Sequence, residues 1–250
     1  TRVRSSAASD VYKRQGLGPK VVAVDQFSDY PPEAKQKPQL GSYLKPDLER
    51  LVAATPDLVL ATGVHIKEIV PQLEARKLTV AVVDAQNLDQ VLASIGLVGR
   101  ITGAQDAATK VTTDLRGRID AVSARVAGAP RPKVYVELDS TFFSVGPGSF
   151  IDDMLRRAGG QNIAADAQSQ YPQLSQETIL QKDPQVILVT HDDQQGTVAA
   201  VKARPGWDKL SAVKENRVVV LDPNLTNRPG PRVVDGLEVM AKAIHPEKFQ

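Results

Sequence analysis

Three histidines, the adjacent carboxylates Asp152 and Asp153 and a few aromatic rings are the groups in this sequence that first suggest chemistry. His65 and His191 follow apolar runs that end at Thr62 and Thr190, whereas His245 stands near the C-terminus. A metal centre needs several convergent donors at fixed spacing. No His or carboxylate recurs at such a spacing, so no metal ligand is assigned. Asp152 and Asp153 could be imagined as acid and base, but two carboxylates near a helix start also complement the helix dipole. G-x-S-x-G, P-loop and H-E-x-x-H signatures are absent, and Val145-Gly-Pro-Gly-Ser-Phe150 lacks the third glycine of a dinucleotide fingerprint. No catalytic residue and no resident cofactor follow from these residues.

The aromatic side chains make up only 4% of the chain, so their placement is informative. Tyr30, Tyr43, Phe142, Phe143 and Tyr171 all fall in segments that read as loops. In an open α/β sheet the carboxyl ends of the strands face the ligand crevice. Aromatic loops gathered there would form a broad apolar surface suited to a large flat ligand. His65 and His191, each just beyond a strand, would line the same crevice. Local packing over its own lobe is the competing expectation for Phe142.

The elements that must position these residues alternate. Strands are expected at Val21–Val24, Leu58–Ala61 and Val80–Val83, then at Val134–Leu138, Val186–Val189 and Val218–Leu221, each a short β-branched run bounded by Pro, Gly or Asp. Helices are expected at Leu48–Ala54, Ile66–Ala75 and Leu88–Ile101, then at Phe150–Ala158, Gln176–Gln181, Trp207–Val213 and Arg232–Ile244. Such alternation argues for an α/β fold with an open, mainly parallel sheet in each half. Between the halves, Ala108, Val111, Leu115, Ile119, Val122 and Val126 recur every three or four residues, which predicts one long amphipathic helix. The expected organisation is an N-terminal lobe over 16–104, a connecting helix over 105–128 and a C-terminal lobe over 129–250.

A repeat supports two related halves. Asp47 to Thr62 (DLERLVAATPDLVLAT) aligns without a gap on Ser175 to Thr190 (SQETILQKDPQVILVT), at a constant offset of 128. Asp47 and Ser175 are both N-cap types, which places Glu49 and Glu177 at matching points in the first turns of matching helices.

Bulk properties exclude several classes. A net charge of +2 without any run of like charges offers no basic stripe for nucleic acid or an anionic membrane. The absence of cysteine rules out disulfides, thiolate catalysis and Cys-zinc sites. No apolar stretch approaches the roughly 20 residues of a membrane helix. Thr1 to Gln15 (TRVRSSAASDVYKRQ) has basic residues at both ends and no apolar core, so it is not a signal peptide. This segment is expected to lie outside the fold, leaving the first lobe without its first strand and the chain without an export signal.

Phe27-Ser-Asp-Tyr-Pro-Pro32, Asp47-Leu-Glu-Arg-Leu51, Pro56-Asp-Leu-Val-Leu60, Tyr171-Pro-Gln-Leu-Ser175 and Arg228-Pro-Gly-Pro-Arg232 together resemble the helical-backbone substrate-binding proteins of ABC importers. The cobalamin-binding branch is the most similar, with ferric-siderophore and haem binders as relatives. The resemblance runs from Gly16 to about Ile244. It implies two Rossmann-like lobes joined by one long helix, with a ligand cleft between them. By position, Tyr30, Tyr43, Phe143, Tyr171 and Arg228 match cleft-lining residues, while tryptophans that often line the cobalamin cleft appear here as Tyr43, Thr62 and Tyr171. Glu49 and Glu177 match the glutamates that dock on the permease dimer. The implied protein is a monomeric, non-enzymatic receptor, periplasmic or lipid-anchored on the outer face of the cytoplasmic membrane, that delivers a corrinoid or, as alternatives, a ferric siderophore or haem. The rival reading from another class is a metal-chelatase-like α/β enzyme using His65, His191 and nearby carboxylates.

Overall fold

In a computed structural model of the chain, residues 2–4, 15–30 and 32–250 are described. Two compact units emerge: residues 1–85 with 89–115, and residues 86–88 with 116–250. Among the described residues, no helix is long and apolar enough to cross a membrane.

The first unit contains strands β1 (Arg2–Arg4), β2 (Val21–Val24), β3 (Leu58–Ala61) and β4 (Val80–Val82), all parallel, in the order β2-β1-β3-β4. Its helices are α1 (Leu48–Ala53), α2 (Ile69–Ala75) and α3 (Leu88–Thr102). Parallel strands covered by helices lose their polar face; β3 accordingly is buried at every residue. Ala23, Leu40, Leu51, Val59 and Leu73 form the core that strands and helices share.

One expectation is corrected here. Arg2–Arg4 lies inside the sheet as β1, pairing with β2 on one side and β3 on the other. The physical reason is that an interior slot presents unpaired N–H and C=O rows on both flanks, and backbone pairing fills it whatever the side chains. Gln15 also joins the unit: its side chain is buried and donates to the Ile95 carbonyl at 2.9 Å. The rest of the expected outlying segment, Thr1 and residues 5–14, lies outside the described residues.

Helix α4 (Gln105–Val126) has 22 residues, about 33 Å at 1.5 Å per residue. Ala108, Leu115, Ile119, Val122 and Val126 are buried along it, following the spacing read from the sequence. The division between the two units falls within this helix, after Leu115.

The second unit repeats the architecture. Strands β5 (Lys133–Glu137), β6 (Gln161–Asn162), β7 (Val186–Val189) and β8 (Val218–Val220) are parallel in the order β6-β5-β7-β8. Helices α5 (Phe150–Arg157), α6 (Gln176–Lys182), α7 (Val198–Lys202), α8 (Ser211–Lys214), α9 (Pro223–Thr226) and α10 (Val233–Ile244) accompany them. Fully buried Trp207 anchors the core, with Tyr135 edge-on at 6.2 Å and Phe142 stacked at 5.9 Å. The single helix expected over Trp207–Val213 is split, because Leu210 adopts an extended conformation (ψ 138°) between a 3-10 turn and α8.

The sequence repeat is a structural repeat. Asp47 caps α1 by accepting from the Glu49 and Arg50 amides at 3.1 and 3.0 Å, and Ser175 caps α6 by accepting from the Thr178 amide at 3.1 Å. Beyond each helix one residue turns left-handed, Thr55 (φ 46°) and Asp183 (φ 44°), and a proline follows. In both sheets the chain adds its second strand on one side of the first and its third on the other. The switch points therefore lie at the carboxyl ends of β1 with β3 and of β5 with β7, where ligands of open α/β sheets bind.

Candidate functional site

At the carboxyl end of β3 in the first unit, three predicted residues meet. Thr62 follows the strand and caps a 3-10 turn over Gly63–His65. His65 is buried, and its Nδ1 accepts from the Thr62 amide at 3.1 Å while its Nε2 donates to the Tyr43 carbonyl at 2.6 Å. An amide only donates and a carbonyl only accepts, so these partners select the neutral tautomer with its proton on Nε2. The Tyr43 hydroxyl lies 2.6 Å from Thr62 Oγ1, and its ring meets the His65 ring edge-on at 5.1 Å. Burial pushes the Tyr43 phenol up, an effect the Thr62 hydrogen bond opposes. Thr62 and His65 are both buried, and both ring nitrogens of His65 are bonded to backbone.

Exposed apolar side chains surround this group in the sequence. Tyr30 is exposed on the loop after β2, with Phe27 beside it; Leu44 is exposed next to Tyr43, and Val64 and Ile66 on either side of His65. Phe27, Leu44, Val64 and Ile66 were not singled out by residue type. Their signal was available only as apolar residues in segments read as loops or, for Ile66, at the start of an expected helix.

In the second unit each strand is followed by a loop that carries a predicted residue: Phe143 after β5, Tyr171 after β6, His191 after β7 and Arg228 after β8. Segments 142–146 and 170–174 run side by side, with Ser144 N donating to Pro172 O and Gly146 N to Gln170 O, both at 2.8 Å, and Leu174 N to Phe142 O at 3.0 Å. This pairing brings Phe143 and Tyr171 onto adjacent strands of chain, both exposed. Phe142 takes a left-handed conformation (φ 68°), strained for a bulky residue. Phe142 packs on Trp207, as local packing predicts, while Phe143 remains exposed. Asn227 donates to the Thr190 carbonyl at 2.8 Å, which fixes the residue before Arg228 to the end of β7.

His191 is buried in a charged network. Its Nε2 donates to Glu137 Oε1 at 2.9 Å, and its Nδ1 lies 3.2 Å from Asp193 Oδ1 without hydrogen-bond alignment. Arg204 grips fully buried Glu137 through both guanidinium nitrogens and lies over the Trp207 and Phe142 rings at 4.5 and 5.3 Å. His191 thus braces the end of β7 through Glu137. Neither Glu137 nor Arg204 carried a sequence signal. Among the described residues, no group of three or more His, Asp or Glu is arranged to hold a metal ion.

Glu49 and Glu177 occupy the same second position of α1 and α6, and both are exposed. The Glu177 carboxyl is held below its usual range by its own backbone N–H and by the Ser175 hydroxyl. Asp152 accepts from Asn162 and Arg156, and Asp153 from the Leu88 amide and Arg157, so this pair braces backbone and a helix.

With twin switch-point sheets and a long connecting helix established, comparison with known proteins is decisive. The sequence profile described as "Periplasmic binding protein" matches residues 3–225. The chain belongs to the periplasmic binding protein family. It is 31% identical to an uncharacterized ABC transporter substrate-binding lipoprotein, YvrC, of Bacillus subtilis, over 94% of this chain and 76% of that one. It is 35% identical to a cobalamin-binding protein of Halobacterium salinarum, over 90% of this chain but 63% of that longer protein. The crystal structure of the periplasmic vitamin B12 binding protein BtuF of Vibrio cholerae aligns with a TM-score of 0.86 at 26% identity, covering 100% and 98% of the two chains. That of the periplasmic heme-binding protein BhuT with two hemes aligns at 0.87 and 26%, covering 99% and 98%. As a periplasmic binding protein the chain is a non-enzymatic transport component, which sets aside the chelatase-like alternative.

Proposed function

We propose that this periplasmic binding protein captures a corrinoid outside the cytoplasmic membrane and delivers it to the permease of an ABC importer. One observation carries the reading: in each unit, exposed aromatic or aliphatic side chains lie in the loops that follow successive parallel strands, after β2 and β3 in the first and after β5 and β6 in the second, with buried hydrogen-bonded residues beside them. Large apolar ring systems are held by such surfaces, with few polar anchors setting orientation. Tyr30, Tyr43, Phe143 and Tyr171 supply the rings and Arg228 the polar anchor. The cobalamin-binding relative at 35% identity favours a corrinoid. The heme-binding structure, equally alike in fold, keeps haem as the second reading, with a ferric siderophore beside it.

Glu49 and Glu177 extend the proposal to a partner. Two exposed carboxylates at equivalent points of a duplicated fold suit matched arginines on a two-fold symmetric permease, since Arg–carboxylate pairs are charge-assisted and often bidentate. The protein acts as a monomer, either free in the periplasm or lipid-anchored.

The test is retention. Purified protein is incubated separately with cobalamin, haem and ferric siderophores, desalted, and its absorbance recorded. Retained corrinoid is the expected outcome; retention of haem or a siderophore alone would replace the ligand, and retention of none would overturn the receptor reading. Tyr171→Ala should weaken retention by about 0.5–1.5 kcal/mol if the ring stacks on the ligand. A Glu49→Ala/Glu177→Ala double variant should keep ligand affinity and lose uptake. Normal uptake would return both residues to helix-start electrostatics.

A further inference from the structure

We infer that His65 is a positioning residue, a neutral imidazole that locks two loops of the first unit so that Tyr43, Val64 and Ile66 meet the ligand preorganised; this rests on the proposed binding role of those loops. Three observations converge on it. The turn after β3 has the logic of a capping box, in which the third residue returns its side chain to the N-cap amide. Glu or Gln normally fills that place. A carboxylate could accept from Thr62 but could not also donate to the Tyr43 carbonyl, 22 positions earlier in the chain, as Nε2 does at 2.6 Å. Only a side chain with an acceptor and a donor, suitably separated, ties both loops at once.

The second observation is direction. His65 is 6% exposed, whereas Val64 and Ile66 are 58% and 50% exposed. Burying the polar residue of this triplet turns its two apolar neighbours outward, the reverse of the ordinary pattern. The third is the wall behind the turn. A Cβ on Gly63 would come within 2.5 Å of Asp84 Oδ2, so the turn packs close against that side chain. Its tie to the neighbouring loop is His65, bonded to the Thr62 amide and the Tyr43 carbonyl. Without the imidazole, binding would have to order two loops, and that cost appears as lost affinity.

The experiment compares wild type with His65→Leu and His65→Gln, using cyanocobalamin and haemin as probes, thermal melting, and ¹⁵N imidazole and amide NMR. Leucine fills the space without hydrogen bonds and should lower affinity about tenfold, the scale of one or two lost neutral hydrogen bonds. Glutamine offers an acceptor and a donor and should restore affinity to within about twofold of wild type. A purely packing role predicts no such gap, since leucine would then serve at least as well as glutamine. The wild-type ring should show its proton on Nε2, and the leucine change should shift amide signals in both 42–46 and 62–66. Wild-type affinity in the leucine variant, a glutamine variant as weak as leucine, or a proton on Nδ1 would overturn the inference. If wild type binds neither probe, the proposed ligand class fails, while the amide shifts still judge the lock: movement confined to 62–66 would overturn it.

Discussion

His65 and His191 both follow the third strand of their own sheet, and both are buried braces, yet the two units secure them by opposite chemistry. In the first unit the imidazole is neutral and bonded to backbone at either end. In the second it donates to a buried carboxylate that a bidentate arginine also grips. What surrounds the two braces differs in kind as well. The first unit exposes aliphatic Leu44, Val64 and Ile66 among its tyrosines; the second exposes Phe143 and Tyr171 and folds Phe142 inward against Trp207. The duplicated strand order fixes where a ligand-facing loop must lie, while the means of stiffening that loop is free to diverge.

The sharpest way to break this comparison is to remove one partner from each brace. Arg204→Leu strands the Glu137 carboxylate in a fully buried position and should destabilise the protein by about 3–5 kcal/mol, because breaking a buried pair leaves an uncompensated charge. His65→Leu, which loses only neutral hydrogen bonds, should cost about 1–3 kcal/mol. Denaturant melts of the two variants measure both; equal losses would mean that the Glu137 network is no more demanding than the neutral one.

A smaller effect separates the two repeated helices. Asp47 receives two amides and Ser175 one in the contacts described. Asp47→Ala and Ser175→Ala should each cost on the order of 1 kcal/mol, with Asp47→Ala the larger. The reverse order would show that the charged cap adds nothing to its geometry.

The smallest expected effect is a response to acid that only one unit can give. At the left-handed position after the repeated helix, the first unit has Thr55 and the second Asp183. The Ser211 amide and hydroxyl, bonded at 2.8 and 2.7 Å, hold the Asp183 carboxyl below its usual range. Because its folded pKa is depressed, the stabilisation is complete above the ordinary carboxylate range and is lost as pH falls through the folded value. Hydrogen exchange across that acid range should loosen residues 183 and 211–214 in wild type. In Asp183→Asn these residues should show no such pH dependence. A response of equal size around Thr55 would point to another titrating group.

Much of the scaffold was legible because burial on both faces leaves an unmistakable run of apolar β-branched residues. β2, β3 and β7 fall where Val21–Val24, Leu58–Ala61 and Val186–Val189 were read, and the stripe from Ala108 to Val126 is one helix. β1 and β6 were missed for a shared reason. Arg2–Arg4 and Gln161–Asn162 are short and polar, and their strand character lies in backbone pairing that residue type does not encode. The exposed rings of the site were visible as aromatics in loops. Their supports were not: Glu137 and Arg204 stand 67 positions apart, and no local pattern links a strand-end carboxylate to a distant arginine. The two histidines were noticed for their place after a strand, but their hydrogen-bond partners were not legible, because sequence shows where a side chain starts and not which way it points.

The strand order described for both sheets also sets a timetable. In β2-β1-β3-β4 and again in β6-β5-β7-β8, the earliest strand of each set ends in the interior and the latest at an edge. A chain emerging from the ribosome therefore lays down each sheet from the middle outward, every new strand docking on one already present. Each sheet closes within its own stretch of sequence, so a half-made chain can finish its first sheet before the second has begun.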